Sequence, residues 1–334
     1  MSQNDTPEKE PSLIKDIRTK STKSSASIGV VELTLEEGTQ IKVVGAVYGL
    51  EHQFQGEGFK ATVFLDQYNQ RLKVVSYEGE NKFELMERLK WLASANGFDK
   101  TIVMTYRDDW QRFLRRGYVL EAVLKYFHHG EDAYVMSKFG SQERMVSHSL
   151  FEEIQLIETV MERDPLEAIP VQPTEFEFRL AERTDVPALI ALYQSIFETY
   201  PSPLIHSDYL ESVFQRENLF AVATKDGEIV SAASAELNPS QKAAELTDCA
   251  TIKSMRGRGL MAHLLLLLEG ELSRRDYVCA YTMSRARSFG INNVFYQLKY
   301  EFQGRLVNNC DIYGSYEDMN IWVKNLVRET WHDT

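Results

Sequence analysis

Apolar residues recur with two different periods along this chain, and the alternation between them predicts a mixed α/β protein. Val30-Val31-Glu32-Leu33 and Ile41-Lys42-Val43-Val44 read as strands around a Glu37-Gly38 turn. Residues 61–65 and 72–77 read as two more strands. Phe83, Leu85, Met86, Leu89 and Leu92 then fall at helical spacing, and Asn96-Gly97 is a stop signal. A strand at 101–105, a short helix at 110–116 closed by Gly117, and strands at 121–126 and 133–139 complete a first unit. Residues 141–163 predict one long helix, ended by Asp164-Pro165.

Pro170 and Pro173 mark a connector, and a second unit starts at Phe176. Its order is strand 176–181, helices 185–200 and 208–215, and a hairpin of 219–224 with 229–237 turning at Asp226-Gly227. Strand 245–252 leads through an Arg-Gly turn into helix 260–274. Strand 278–283, helix 288–298 and strands 302–307 and 319–323 follow. The predicted plan is a disordered polar tail (1–26), an N-terminal α/β domain (27–140), a helical linker (141–175), a second α/β domain (176–328) and a short tail (329–334). A weak internal repeat links the halves. Phe113 to Tyr118 parallels Tyr296 to Tyr300, and Glu131-Asp132 to Lys138 parallels Glu317-Asp318 to Lys324.

Composition narrows the function. The chain has 334 residues, 43% hydrophobic, with a formal net charge of −12. An acidic surface argues against nucleic-acid binding, which needs a basic face, and suits either solubility or a cationic small-molecule substrate. The three cysteines, Cys249, Cys279 and Cys310, form no CxxC pair and fit reduced thiols in a cytoplasmic protein. No apolar run approaches the ~20 residues that span a bilayer, and no leader-like segment is visible at the N-terminus. His128-His129 beside Glu131-Asp132 is no metal site, because adjacent strand side chains point to opposite faces.

The chemistry concentrates at Arg256-Gly257-Arg258-Gly259-Leu260-Met261, between a strand and an apolar helix. A helix N-terminus has unpaired N–H groups and positive potential, glycine lets backbone approach a phosphate, and arginine adds charge-assisted hydrogen bonds. There is neither a GxxxxGK[ST] loop nor a GxGxxG following the first strand, which sets aside two common phosphate cradles. The segment resembles the Arg-x-x-Gly-x-Gly/Ala pyrophosphate loop of the GNAT acetyltransferase superfamily, with Met261 in place of the small final residue.

That resemblance implies a GNAT fold for the second domain, with a mixed, mostly antiparallel sheet flanked by helices. The first domain, lacking the loop, then reads as a degenerate GNAT-like copy without cofactor binding. It implies acetyl-CoA as cosubstrate, with Cys249, Ala250, Thr251 and Ile252 along the pantetheine arm. Ser288 falls at the superfamily's arm-binding Asn position and Phe295 at its Tyr position, with Asn292 between them on the same helix. Tyr296, one residue out of register, is the candidate acid for the departing thiolate. Glu245 falls at the position of a glutamate base, and Asp248 is its rival. Strict alternation puts the two on opposite faces unless the strand bulges.

The blocks 244–251, 281–290, 304–309 and 317–322 further resemble the β-lysine N-acetyltransferases, which make the compatible solute Nε-acetyl-β-lysine. A β-lysine site implies an arginine for the carboxylate and acids for the spare amine. Arg285, Arg287 and Arg305 are candidates for the first role, and Asp248, Glu317 and Asp318 for the second. Asn308, Asn309 and Asn320 could add neutral hydrogen bonds. Three alternatives stay open: an acetyltransferase for another small amine, a non-catalytic acetyl-CoA sensor, and an N-terminal domain that serves binding or homodimerisation.

Overall fold

The computed structural model describes residues 29–45, 49–168, 171–197, 204–215 and 218–327. The expected tails at 1–26 and 329–334, Pro170, and the end of the helix expected at 185–200 lie outside those residues. The N-terminal half contains β1 (Gly29–Glu36), β2 (Thr39–Gly45), β3 (Gly49–Gly56), β4 (Phe59–Asp66), β5 (Arg71–Gly79), α1 (Lys82–Ala95), β6 (Lys100–Thr105), α2 (Trp110–Leu114), β7 (Val119–His128) and β8 (Glu131–Phe139). Helices α3 (Gln142–Met145) and α4 (Leu150–Met161) follow. The C-terminal half contains β9 (Glu177–Leu180), α5 (Val186–Ile196), α6 (Ser207–Gln215), β10 (Leu219–Lys225), β11 (Glu228–Asn238) and β12 (Ala243–Thr251). It ends with α7 (Leu260–Arg274), β13 (Cys279–Arg285), α8 (Phe289–Gln297), β14 (Glu301–Ile312) and β15 (Ser315–Asn325).

Two elements depart from the sequence pattern. Strand β3 is unexpected, because it carries only Leu50 and Phe54 as large apolar residues; eight residue pairs with β4 define it instead. The single helix expected over 141–163 is two. Val146 leaves α3 in an extended conformation and Ser149 starts α4, so the polar Ser147-His148-Ser149 stretch is a break. Helix α4 then buries Ile157 and Val160 in the core beneath α7 and α8, and so packs as part of the C-terminal half.

Thirteen strands form one sheet in the order β3-β4-β5-β6-β8-β7-β14-β15-β13-β12-β11-β10-β9. With the edge strand β9 left aside, each half contributes the same sequence of six strands read inward from its own end, with β7 and β14 meeting in the middle. The parallel pairs, β5 with β6 and β12 with β13, occupy matching places. Local detail matches too. Tyr118 N donates to Phe113 O and Tyr300 N to Phe295 O, each after a residue of positive φ, Gly117 (+78°) and Lys299 (+66°). Both aromatic pairs stand edge to face at 5.1 and 5.0 Å, under Lys138 and Lys324 respectively.

The seam is narrow and specific. Gly304 pairs with Ala122 at φ +140°, and a Cβ there would lie 2.3 Å from Glu121 O and 2.7 Å from Ala122 Cα. Beside it, buried Lys100 binds Glu121 (2.9 Å) and Val307 O (2.7 Å), and Glu121 accepts from Val307 N (2.7 Å). An apolar cluster spans both halves, with Leu124, Phe127 and Val135 meeting Tyr281, Leu306 and Ile321. Register shifts interrupt both seam strands, β7 and β14. Such bulges bend and twist a sheet, and this sheet must curl strongly. Seven strand spacings separate β5 from β12, about 34 Å in a flat sheet, yet residues of both line one cleft.

Candidate active site

The cleft has a volume of about 1570 Å³. One wall is the start of α7. Five leucines of this helix (Leu260, Leu264, Leu265, Leu268 and Leu272) are at most 2% exposed; full burial of such a side chain contributes about 1.5–3 kcal/mol, and that anchors the helix end. Its N-cap is Gly259, at φ +75°, with no side chain capping the first turn. Gly257 also has a positive φ (+77°), and a Cβ on either glycine would meet nothing within 4 Å. The loop is therefore an open backbone cradle with unpaired first-turn N–H groups, which suits a pyrophosphate. Arg256 borders the cleft, where its Nε donates to Thr251 O at 3.1 Å. Arg258 turns outward to Glu175 at 2.6 Å. Met261 packs against the core and also borders the cleft, so its side chain is not confined to helix packing.

A second wall is a split in the sheet. Strands β12 and β13 pair only at Ala243–Cys279, Ala244–Ala280 and Glu245–Tyr281. Beyond that point they separate, and Thr247 to Thr251 face Thr282 to Arg285 across the opening. Cys249, Ala250 and Thr251 border it. Ile252 does not, and its N–H is taken by Val230 O at 3.1 Å.

The split of the N-terminal half is filled. Pairing of β5 with β6 ends at Val74–Val103. Beyond it sits the buried Tyr77, whose hydroxyl donates to Asp109 at 3.1 Å and accepts from Tyr106 N at 3.3 Å. There α1 starts at Asn81, whose side chain accepts from Glu84 N, next to Glu78 and Glu80 in place of an arginine-glycine loop.

Strand β12 bulges between its Ala250 and Thr247 pairings with β11. Asp248 occupies the bulge at φ +52°. The extra residue turns Asp248 onto the face that Glu245 occupies, and both border the cleft. Ser234 Oγ donates to Asp248 at 2.6 Å. Glu236 lies directly across from Glu245 on β11, and Tyr281 directly across on β13. Burial raises the Glu245 carboxyl well above its ordinary range, and the Glu236 charge raises it further. Lys73 and Arg71 of β5 pull the other way. The Tyr281 phenol hydrogen-bonds Glu245 and is held protonated, chiefly by burial and then by the two glutamates.

Several expected site residues stand elsewhere. Asn292 is fully buried and its amide is spent: Oδ1 accepts from Ser284, Asn320 and Trp322, and Nδ2 donates to Arg285 O and Ser288 O. Phe295 is a core residue against Tyr300. Tyr296 lies outside the cleft, its hydroxyl donating to Met161 O at 3.0 Å, so it is no acid for the site. The face of α8 bordering the cleft carries Ser288, Ile291, Asn293, Val294 and Gln297. Arg285 reaches the cleft, but Glu317 holds it through two bonds of 2.7 and 2.6 Å. Arg287 is exposed and outside it. Arg305 is half-buried between Glu153 and Asn320. Asn308 is tied to the carbonyls of Glu143, Arg144 and Val146, and Asp318 accepts from Asn308 N. Neither borders the cleft.

Glu236, Tyr281, Lys73 and Arg71 were not anticipated. Glu236 had a signal, as a lone charge in the small, apolar stretch Ser231 to Leu237, but its place opposite Glu245 depends on register. Among the described residues there is no group of three or more His, Cys, Asp or Glu placed for a metal, and no helix long and apolar enough to cross a membrane.

The chain matches the family described as "Acetyltransferase (GNAT) family" over residues 186–288. The N-acetyltransferase YodP of Bacillus subtilis (strain 168) is 34% identical over 272 residues, which is 81% of this chain and 98% of that protein. A beta-lysine N(6)-acetyltransferase of Methanosarcina mazei is 34% identical over 263 residues, 73% of this chain and 97% of its own length. One from Methanococcus maripaludis is 28% identical over 265 residues, 78% and 94% of the two chains. These spans exceed the C-terminal half, so the likeness includes N-terminal strands that carry no motif. With the open cradle at Gly257–Gly259 and the split between β12 and β13, they place this chain in the GNAT family, as an acetyl-CoA-dependent N-acetyltransferase.

Proposed function

We propose that the enzyme acetylates the terminal amine of β-lysine in the cytoplasm, giving the compatible solute Nε-acetyl-β-lysine. One observation carries the reading on the structural side: Glu236, Glu245 and Asp248 converge on the cleft beside the β12–β13 split. Three carboxylates there suit a small substrate with two ammonium groups. The names of the Methanosarcina mazei and Methanococcus maripaludis relatives support the same substrate.

Bound acetyl-CoA supplies the activated acetyl group. Gly257, Gly259, Arg256 and the first turn of α7 would hold its pyrophosphate, and Cys249, Ala250, Thr251, Met261 and Ser288 would border its arm. An ammonium has no lone pair, so Glu245 takes a proton from the substrate nitrogen, directly or through water. Its raised pKa suits it to that exchange near neutral pH. The nitrogen then bonds the acetyl carbon as the carbon–sulfur bond breaks. Backbone N–H groups of β12 beside the split would stabilise the carbonyl oxygen. No α8 tyrosine borders the cleft, whose lining tyrosines are Tyr209 and Tyr313; the departing thiolate would take a proton from one of these or from solvent, which a thiol pKa of about 8.5 makes favourable at neutral pH. The N-terminal half reads as a second copy of the architecture whose cofactor split Tyr77 has closed.

Incubation with acetyl-CoA and an equimolar mixture of β-lysine, lysine and polyamines, followed by mass spectrometry, tests the reading. Singly acetylated β-lysine is the expected main product. A main product from lysine or a polyamine overturns it.

A further inference from the structure

Glu236, Glu245 and Asp248 reach the cleft from the C-terminal half, whereas Asp66, Arg71 and Lys73 reach it from the other half. Strand β5 brings Arg71 and Lys73 to the cleft, near enough that both act on the Glu245 carboxyl. They alternate along the strand with Leu72, so they share a face. Arg71 is fixed: its Nε donates to Asp66 (2.7 Å) and its Nη1 to Asn309 O (2.8 Å), while Asp66 is itself held by Asn69. Its Nη2 has no hydrogen bond among the described residues. Lys73 is half-buried and forms neither a hydrogen bond nor an ion pair among the described residues. The other cleft cations have partners: Arg285 has Glu317, Arg256 has Thr251 O, and Arg163 lies over the Phe289 ring.

A cation held in a cleft, facing acids across a gap and without a partner of its own, is placed to receive an anion. The amine end of a diamino acid is drawn to Glu236, Glu245 and Asp248, and its carboxylate needs a cation on the far side. We propose that Lys73, with the free edge of Arg71, is the carboxylate-binding subsite, so that the substrate bridges the two halves of the sheet. The inference rests on the amino-acid reading above. It gives the N-terminal half a role in the reaction: it discriminates an amino acid from a plain diamine. It also replaces Arg285 and Arg287 in that role, since one is held by Glu317 and the other lies outside the cleft.

The test compares matched substrates that differ only in the carboxylate: β-lysine against 1,4-diaminopentane, and lysine against 1,5-diaminopentane. The readout is the ratio of kcat/KM within each pair, in the wild type and in Lys73→Met and Lys73→Arg. A charge-assisted hydrogen bond corresponds to a fall in the ratio of about 10- to 100-fold in Lys73→Met. The fall should lie in KM for the amino acid, not in KM for acetyl-CoA, with Lys73→Arg recovering most of it. An unchanged ratio in Lys73→Met, an equal loss on both members of a pair, or a wild type that prefers the diamines overturns the subsite. A wild type that acetylates lysine and not β-lysine overturns only the substrate named above, and the lysine pair then decides the subsite.

Discussion

Replacing Gly304 with alanine tests whether the two halves work as one body. Gly304 sits at the seam between β7 and β14 with φ +140°, which L-residues rarely adopt. Backbone held in such a region costs about 1–3 kcal/mol. The new Cβ would also fall 2.3 Å from Glu121 O and 2.7 Å from Ala122 Cα, and these are backbone atoms that cannot swing aside. Overpacking of this kind costs about 1–3 kcal/mol more. The expected loss is thus about 2–6 kcal/mol, a large part of the 5–15 kcal/mol of a typical domain. Urea denaturation followed by tryptophan fluorescence measures it, because Trp91 and Trp110 report on one half and Trp322 on the other. The seam also sets the distance between β5 and β12, so kcat/KM for the amine should fall by about 100-fold if the walls shift by an ångström. A Gly304→Ala enzyme with less than about 1 kcal/mol of lost stability and wild-type turnover would refute this view of the seam.

Three further outcomes follow from the site and its surroundings. Gly259→Ala should cost about 1–2 kcal/mol for a left-handed alanine and weaken coenzyme A binding by calorimetry at least tenfold, because its Cβ enters the open cradle. Glu245→Gln should lower kcat by about 10²- to 10⁴-fold. In the wild type, activity should rise with pH through the raised pKa of Glu245, and stopped-flow thiol release should show that limb lost in the variant. The buried Glu153 is pushed up to about 8, by burial first and then by Asp318. A carboxyl whose folded pKa lies above its unfolded value favours the folded state when protonated, so its contribution is lost as pH rises from about 4.5 through 8. Glu153→Gln should flatten the fall in denaturation midpoint over that interval, and an unchanged slope would exclude Glu153 as its source.

Periodicity placed α1, α7, α8 and the β10–β11 hairpin correctly, because each buries one face against the sheet and its pattern is local. The hairpin's Asp226-Gly227 turn takes the positive φ values, +52° and +84°, that its sequence suggests. Strand β3 was not legible because an edge strand need bury little. The α3–α4 break was missed because a Ser-His-Ser interruption is too weak a signal to outweigh the flanking helical pattern. The internal repeat is visible in the sequence as two faint resemblances; in the structure Tyr118 and Tyr300 make the same hydrogen bond and ring pair, but with Phe113 matched by Phe295, one residue before the segment the sequence suggests.

The site divides in the same way. The open backbone cradle before α7 is readable because its features lie within one loop: two glycines with positive φ, an arginine, and the start of a helix. The α8 positions were read from spacing, and spacing does not tell which face of a helix meets a cleft. Asn292 and Phe295 point to the core, and Tyr296 to α4. The Asp248 position was undecided between two faces until the β12 bulge settled it, since one inserted residue reverses a strand's alternation. Lys73 and Arg71 lie more than 160 residues from Glu245 in the chain and seven strands away in the sheet. Only the curvature of the whole sheet brings them to the same cleft. Local conformational preference is written residue by residue, whereas register, bulges and curvature are set by the packing of all strands at once.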